Sequence, residues 1–166
     1  MRRWITKQTE VQIYEELTQD ADKKFTTSFI HRIYHAKDNR LIPRGWLEPG
    51  SEAFMKKFGE SEVTSAFLKA TSPEHGAADD PDFGPGGDLT RYEITLPNGV
   101  VPSSVTVTAT LMYQAIPPYY LKQRFETAPD GPATQRLYYL ASRLQTEGTL
   151  IEGWKIRINS ASGTAG

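Results

Sequence analysis

The sequence predicts an α+β protein of mainly β character, with an antiparallel, immunoglobulin-like or sandwich-like sheet core and peripheral helices. In residues 104–114 (SVTVTATLMYQ), a set of mainly apolar side chains alternates strictly with a set that is mostly threonine. This alternation is typical of a strand with one buried and one wetter face. Turn-forming Gly, Pro, Asn and Asp residues separate the apolar segments. Eight tyrosines, seven phenylalanines and three tryptophans also suit a sheet core.

In the N-terminal part, residues 9–19 are predicted to form a helix, because apolar residues recur on one side and Thr9 is a suitable N-cap. Residues 25–36 alternate and carry apolar side chains on both faces, which predicts an interior strand. A short helix is expected from Ser51, its N-cap, through Phe58.

The middle of the chain contains many glycine and proline residues, which interrupt helices and strands. Residues 71–88 are predicted to be an irregular connector rich in Gly, Pro and Asp. A strand at 89–96, a turn at Pro97–Gly99 and the strand at 104–114 follow, and this order favours pairing of the two strands.

The C-terminal part contains the strongest helical pattern. Residues 119–126 predict a short helix, and residues 132–147 a longer one with proline in its first turn. A last strand is expected at 151–159, followed by a flexible polar tail at 160–166. Residues 1–159 are therefore expected to form one domain.

Composition excludes several function classes. The 19 basic and 20 acidic residues balance to a net charge of −1, which argues against nucleic acid or an anionic membrane as a partner. The absence of cysteine excludes disulfides, thiolate catalysis, Cys-ligated metals and a Cys-x-x-Cys-His haem attachment. No apolar run approaches a membrane span, and the basic N-terminus has no signal-peptide pattern.

Two groups of side chains could ligate a metal. His31 and His35 are four residues apart and could share a face, as metal or haem ligands or as ordinary packed histidines. Four aspartates in the Gly/Pro-rich connector offer oxygen ligands for calcium, although their spacing is not that of an EF-hand; the alternative is a solvated turn. These are Asp79, Asp80, Asp82 and Asp88.

No catalytic constellation is evident. The sequence has no phosphate loop, no Gly-x-Ser-x-Gly elbow and no local triad, so an enzyme is the least favoured class. A set of aromatic side chains could form a sugar-stacking platform, but core packing is the favoured interpretation. The set comprises Tyr113, Tyr119, Tyr120, Tyr138, Tyr139 and Trp154.

The run from Lys37 to Trp46 is the most distinctive segment (KDNRLIPRGW). Asp38 and Asn39 can close a turn by bonding the backbone, and Arg40 is expected to bond within the fold. Six residues form this structural signature: Lys37, Asp38, Asn39, Arg40, Pro43 and Gly45.

An ordered set of motifs resembles the C-terminal, haem-free region of multihaem c-type cytochromes. The Lys37–Trp46 run is its most specific part, and the likeness covers roughly residues 10–158. The other motifs are Val11–Glu15, Phe25–Phe29, Gly86-Gly87-Asp88, Tyr92 and Leu111–Gln114.

The resemblance implies a haem-free accessory domain that assists assembly or docking in an exported, periplasmic or extracellular electron-transfer protein. Haem would belong to a longer parent protein, whose haem-bearing part, or another redox protein, is the implied partner. The β region of that family begins upstream of the point matching Met1, which implies an incomplete sandwich with an edge open to another strand or to a second copy. The alternative is a stand-alone extracellular module that binds carbohydrate or another ligand, with calcium as a stabiliser.

Overall fold

The fold is α+β, as predicted. The computed structural model describes residues 4–7, 10–59, 72–73 and 82–164. The chain divides into two units, Met1–Thr95 and Leu96–Gly166, where the sequence predicts one domain. Across these described ranges, no helix is long and apolar enough to cross a membrane.

Among its described residues, unit 1 contains two small sheets and one helix. Strands β2 (Glu16–Gln19), β3 (Phe25–Thr26) and β4 (Tyr34–Asp38) form an antiparallel sheet in the order β3-β2-β4. Strands β1 (Trp4–Ile5) and β5 (Arg91–Tyr92) pair in parallel. The buried apolar side chains described in this unit are Ile5, Phe54 and Phe83.

The prediction of a helix at 9–19 is wrong. Residues 10–15 have no regular structure, and residues 16–19 form β2. The apolar spacing fits an extended chain as well as a helix, and backbone groups of Ile13 and Glu15 are bound by side chains next to β4. These long-range hydrogen bonds hold the segment alongside the sheet.

The single strand predicted at 25–36 is interrupted. The Thr26 hydroxyl accepts a hydrogen bond from the Ser28 amide, and the Arg32 amide donates to the Ser28 carbonyl. These local bonds form a turn between β3 and β4, because Ser and Thr hydroxyls compete for the backbone groups that a ladder would use.

The capped helix predicted after Ser51 is confirmed. Helix α1 (Glu52–Phe58) begins where the Ser51 hydroxyl accepts a hydrogen bond from the Phe54 amide at 3.2 Å. Glu52 lies in the first turn and Lys56 in the last. Both charges interact favourably with the helix dipole and stabilise the helix. Phe54 is the buried residue of this helix.

Unit 2 consists of two strands and two helices among its described residues 96–164. Strands β6 (Thr106–Tyr113) and β7 (Ile156–Thr164) form an antiparallel ribbon, and helices α2 (Pro118–Thr127) and α3 (Pro132–Ala141) lie between them in sequence. The expected pairing of 89–96 with 104–114 is wrong, because β6 pairs with β7 and β5 with β1.

Both predictions for the C-terminal boundaries need correction. Helix α3 ends at Ala141, not at residue 147, and the Ser142 hydroxyl donates to the Tyr139 carbonyl at 3.1 Å. Residues 160–164, predicted as a frayed tail, continue β7. Their serine and threonine side chains lie opposite threonines of β6, which gives the segment a partner that its composition alone does not reveal.

Candidate interaction surface

The β6–β7 ribbon has two chemically different faces. Directly paired residues of an antiparallel ribbon project to the same side. One side carries Thr106, Thr108 and Thr110 of β6 opposite hydroxyl residues of β7, and we call it the hydroxyl face. The other, which we call the apolar face, carries Val107, Ala109, Leu111, Tyr113, Ile156 and Ala161, together with Gly163 opposite Val107 and one polar residue, Asn159, opposite Leu111.

The apolar face is open to solvent. Val107 is 53% exposed, Leu111 46%, Tyr113 56% and Ile156 48%. An isolated two-stranded ribbon is marginally stable in water, and a ribbon with one apolar face normally packs that face against another layer. The alternation in sequence therefore indicates a buried side, and the described residues of unit 2 leave this side uncovered.

The hydroxyl face forms a ladder. The hydroxyls of Thr108 and Ser162 lie 2.8 Å apart, and those of Thr110 and Ser160 lie 3.1 Å apart. The Ser160 hydroxyl also donates to the Ala109 carbonyl at 3.3 Å. These hydrogen bonds satisfy polar groups across the ribbon and fix its register.

Helices α2 and α3 pack through one aromatic pair. The rings of Phe125 and Tyr138 meet edge to face, with centroids 5.4 Å apart. They line an open cavity of about 230 Å³ together with Pro129, Thr134 and Gln135. The Gln135 amide donates to the Pro129 carbonyl at 2.7 Å, so part of the polar lining is already bonded within the fold.

The aromatic residues predicted as a sugar platform are divided among the ribbon, the two helices and the 3₁₀ turn Glu152–Trp154, which contains Trp154. Arg124 stacks over the Tyr120 ring at 4.7 Å, and Arg143 stacks over the Tyr139 ring at 4.1 Å. A guanidinium on each of these rings occupies a surface that a sugar would use. Tyr138 lies in the helix cavity, and Tyr113 lies on the apolar face of the ribbon.

The Lys37–Trp46 signature joins β4 to the segment before β2. The Asn39 side chain accepts a hydrogen bond from the Glu15 amide at 3.0 Å and donates to the Ile13 carbonyl at 3.1 Å. Lys37 donates to the same carbonyl at 2.8 Å and to the Glu15 carboxylate at 2.9 Å. Lys37 and Asn39 therefore anchor residues 13–15 beside the sheet.

Asp38 and Arg40 form a charged pair within the signature. The Asp38 side chain is fully buried, and the Arg40 side chain is 40% exposed. Arg40 donates through Nε to Oδ1 at 2.7 Å and through a terminal nitrogen to Oδ2 at 2.8 Å. These hydrogen bonds raise the pKa of Arg40 above its usual range and hold it charged.

The end of the signature meets the glycine-rich turn at 84–87. The Gly86 amide donates to the Ile42 carbonyl at 2.9 Å, and Gly86 has a positive φ of 99°. A Cβ on Gly86 would lie 3.2 Å from the Cβ of Arg44. Gly45, with φ of 84°, is the third residue of the turn in which the Trp46 amide donates to the Pro43 carbonyl.

The two candidate histidines lie in different settings. His31 is exposed in the turn before β4. His35 lies on β4, where its Nδ1 is 3.1 Å from a carboxylate oxygen of Glu16. Within the described part of the chain, no group of three or more His, Cys, Asp or Glu side chains is placed to hold a metal ion.

The four candidate calcium ligands are only partly described. Asp79 and Asp80 lie outside the described residues, and Asp82 is half-buried next to Phe83. Asp88 accepts a hydrogen bond from the Tyr14 hydroxyl at 2.6 Å and another from the Leu89 amide at 2.8 Å. Both carboxylate oxygens of Asp88 are thus bound by donors of the protein.

The contact between Tyr14 and Asp88 is one that sequence reasoning missed. The Tyr14 hydroxyl also lies 3.1 Å from the Thr90 hydroxyl. Burial, supported by the hydrogen bond to Asp88, raises the pKa of Tyr14 to about 12. Nothing local marks this pair, because 74 residues separate its members.

Comparison with known proteins adds no relative to this description. No family model, curated protein or solved structure matches the chain.

Proposed function

We propose that this chain is a haem-free accessory module that docks, through the apolar face of its β6–β7 ribbon, onto the haem-bearing part of a multihaem c-type cytochrome. The exposed apolar face carries the proposal, because a ribbon of this kind needs a second layer. The class of partner, a multihaem c-type cytochrome, is inferred from the resemblance of the ordered motifs around Lys37–Trp46. The proposed setting is the periplasm or the cell exterior, where such cytochromes act.

The proposed role is structural and positioning, not catalytic. The chain has no cysteine, so covalent c-type haem would have to be carried by the partner. The partner would supply the second layer that turns the ribbon into part of a sandwich. Electron transfer would then take place in the partner, and this module would hold it in place.

Burial of the apolar face would supply part of the free energy that docking needs. Val107, Leu111, Tyr113 and Ile156 are each about half exposed. Fully burying a large apolar side chain contributes about 1.5–3 kcal/mol, so covering the exposed half of each should contribute about 1 kcal/mol. The resulting sum of about 4 kcal/mol only reaches the lower end of the cost of association, so contacts around the ribbon must supply the remaining affinity.

A co-purification experiment tests this proposal. The full chain, tagged, is co-expressed with the Cys-x-x-Cys-His-bearing segment encoded in the same or the adjacent reading frame, and Soret absorbance of the eluate measures captured haem protein. Ala161→Asp places a charge on the apolar face and should abolish capture. Ser162→Asp places the same charge one residue away on the hydroxyl face and should preserve it.

Two results would contradict the proposal. One is the absence of any haem-bearing sequence in the same or the adjacent reading frame. The other is capture that Ala161→Asp and Ser162→Asp reduce equally, which would mean that the apolar face is not the docking surface.

A further inference from the structure

The outer edge of β6 is a second surface of the ribbon, distinct from its apolar face. Among the described residues, β6 pairs with β7 only. All eight residues of β6 are exposed, and the strand contains no charged residue, glycine or proline. Natural edge strands usually carry such residues to prevent pairing with another chain, so an edge without them is suited to accept a strand.

The opposite edge of the ribbon differs. Strand β7 contains Arg157 and Gly163, and its end contacts the 3₁₀ turn at Pro102–Ser104. A charge, a glycine and a neighbouring turn are features that discourage further pairing. The β6 edge is therefore the one on which a further strand would add.

We propose that two copies of this chain associate by antiparallel pairing of β6 with β6, which forms a four-stranded sheet in the order β7-β6-β6-β7. Three or more strands with one apolar face are needed for a stable sheet, and a two-stranded ribbon falls below that number. Pairing of two copies gives four strands without any other protein.

The sequence of β6 is compatible with its own copy. Pairing centred on Ala109 places Val107 opposite Leu111 and Thr108 opposite Thr110, and pairing centred on Thr110 likewise keeps the two faces aligned. Each register keeps the apolar residues Val107, Ala109, Leu111 and Tyr113 on one face and places the threonines, together with Met112, on the other. A two-fold axis brings the residues beside it close to their own copies, so a charge at those positions would meet an equal charge. The eight residues of β6 carry none.

A second copy also explains the edge better than an unrelated strand does. A partner of different sequence could complement charges on β6, and an uncharged edge gains nothing from such a partner. In a symmetric contact, the same surface of each copy must fit its own copy. A strand without charged residues meets this condition, because no like charges are brought together. The apolar face stays available in this arrangement, because edge pairing uses backbone groups in the plane of the sheet.

Sedimentation velocity of the purified full chain over a range of concentrations tests the inference. We expect a monomer–dimer equilibrium in the wild type. Thr110→Lys, which sets two lysines close to the two-fold axis, should weaken the dimer by about tenfold or more. The matched control is Ser160→Lys, because Ser160 is the direct partner of Thr110 on the same face but belongs to β7. It should leave the dimer within about twofold of the wild type.

Several results would overturn this inference. A wild type that stays monomeric at its highest soluble concentration would do so, as would equal weakening by the two lysine variants. If Thr110→Lys fails to fold by circular dichroism, Thr108→Lys serves as the second variant, with Ser162→Lys as its control. Hydrogen exchange of the wild type gives an independent measurement: β6 amides should become more protected as concentration rises, and unchanged protection would contradict β6 pairing.

The outcomes also separate this inference from the docking proposal. Ala161→Asp should abolish capture of the haem protein and leave the dimer intact, since Ala161 lies on the face of β7. Thr110→Lys should dissociate the dimer and leave capture intact.

Discussion

Arg40→Ala is expected to destabilise unit 1 more than any exposed charge substitution would. Asp38 is fully buried, and Arg40 binds both of its carboxylate oxygens, at 2.7 and 2.8 Å. Removal of one partner from a buried ion pair costs about 3–5 kcal/mol, because the other charge is left without compensation. Since the Arg40 side chain is 40% exposed, water can reach part of the vacated site, and we expect a loss of about 2–3 kcal/mol.

Urea denaturation followed by far-UV circular dichroism measures this effect. With a denaturant slope of about 1.5 kcal/mol per molar urea, the midpoint of unfolding should fall by roughly 1.3–2 M. Hydrogen exchange should locate the loss in β2 and β4. Capture of the haem protein by the apolar face should be unchanged in the folded variant, because Arg40 belongs to the other unit of the chain.

Two further variants separate the buried charge from general effects of removing an arginine. Arg32→Ala removes a guanidinium that lies 3.8 Å from Glu16 and is 45% exposed, so its loss should be below about 0.5 kcal/mol. Asp38→Asn combined with Arg40→Ala should recover at least half of the stability lost in Arg40→Ala, because no buried charge remains. An Arg40→Ala variant as stable as Arg32→Ala, or a double variant with no recovery, would refute the reasoning.

Three other substitutions test contacts of unit 1. Tyr14→Phe, which removes the hydrogen bonds to residues 88–90, should cost about 1 kcal/mol. The raised pKa of Tyr14 implies a contribution that is complete below the unfolded value of 10.0 and lost as pH rises through about 12, which ultraviolet titration of the tyrosines would detect. Gly86→Ala should cost about 1–2 kcal/mol in thermal or urea unfolding, because of its positive φ and close neighbour, whereas Gly87→Ala should be nearly neutral, with nothing within 4 Å of the added Cβ. Ser51→Ala should cost about 1 kcal/mol and lower the protection of the α1 amides against exchange.

Sequence reasoning succeeded where the determining interactions are local. The hydroxyl of Ser51 reaches an amide three residues away, and the cap alone identified helix α1. The alternation in residues 104–114 identified β6 and its two faces, because a strand has a side-chain period of two. Gly99 has the positive φ of 86° that the Asn-Gly turn predicts.

The interruption of residues 25–36 and the early end of helix α3 come from local hydroxyl hydrogen bonds, whereas the other failures involve distant partners. The apolar residues in 11–17 fit a helix or an extended chain, and the choice depends on Lys37 and Asn39, more than twenty residues away. The partner of β6 could not be read from the nearest strand in sequence, because β7 lies beyond two helices. In the candidate site, the separation of the apolar and hydroxyl faces was predictable, whereas the Tyr14–Asp88 contact was not.

The polar segment 160–164 pairs with β6 and leaves the apolar face of the ribbon exposed. Five of the eight residue pairs between β6 and β7 use this segment, from Thr110 with Ser160 to Thr106 with Thr164. Its serines and threonine occupy the hydroxyl face, so the apolar face beside them consists of Val107, Ala109 and the small residues of β7. Because β7 supplies hydroxyls and small side chains there, and not large apolar ones, the segment holds β6 extended without filling the space above it. The ribbon therefore presents an exposed apolar face and an uncharged β6 edge at once, which are the two features that docking and self-association require.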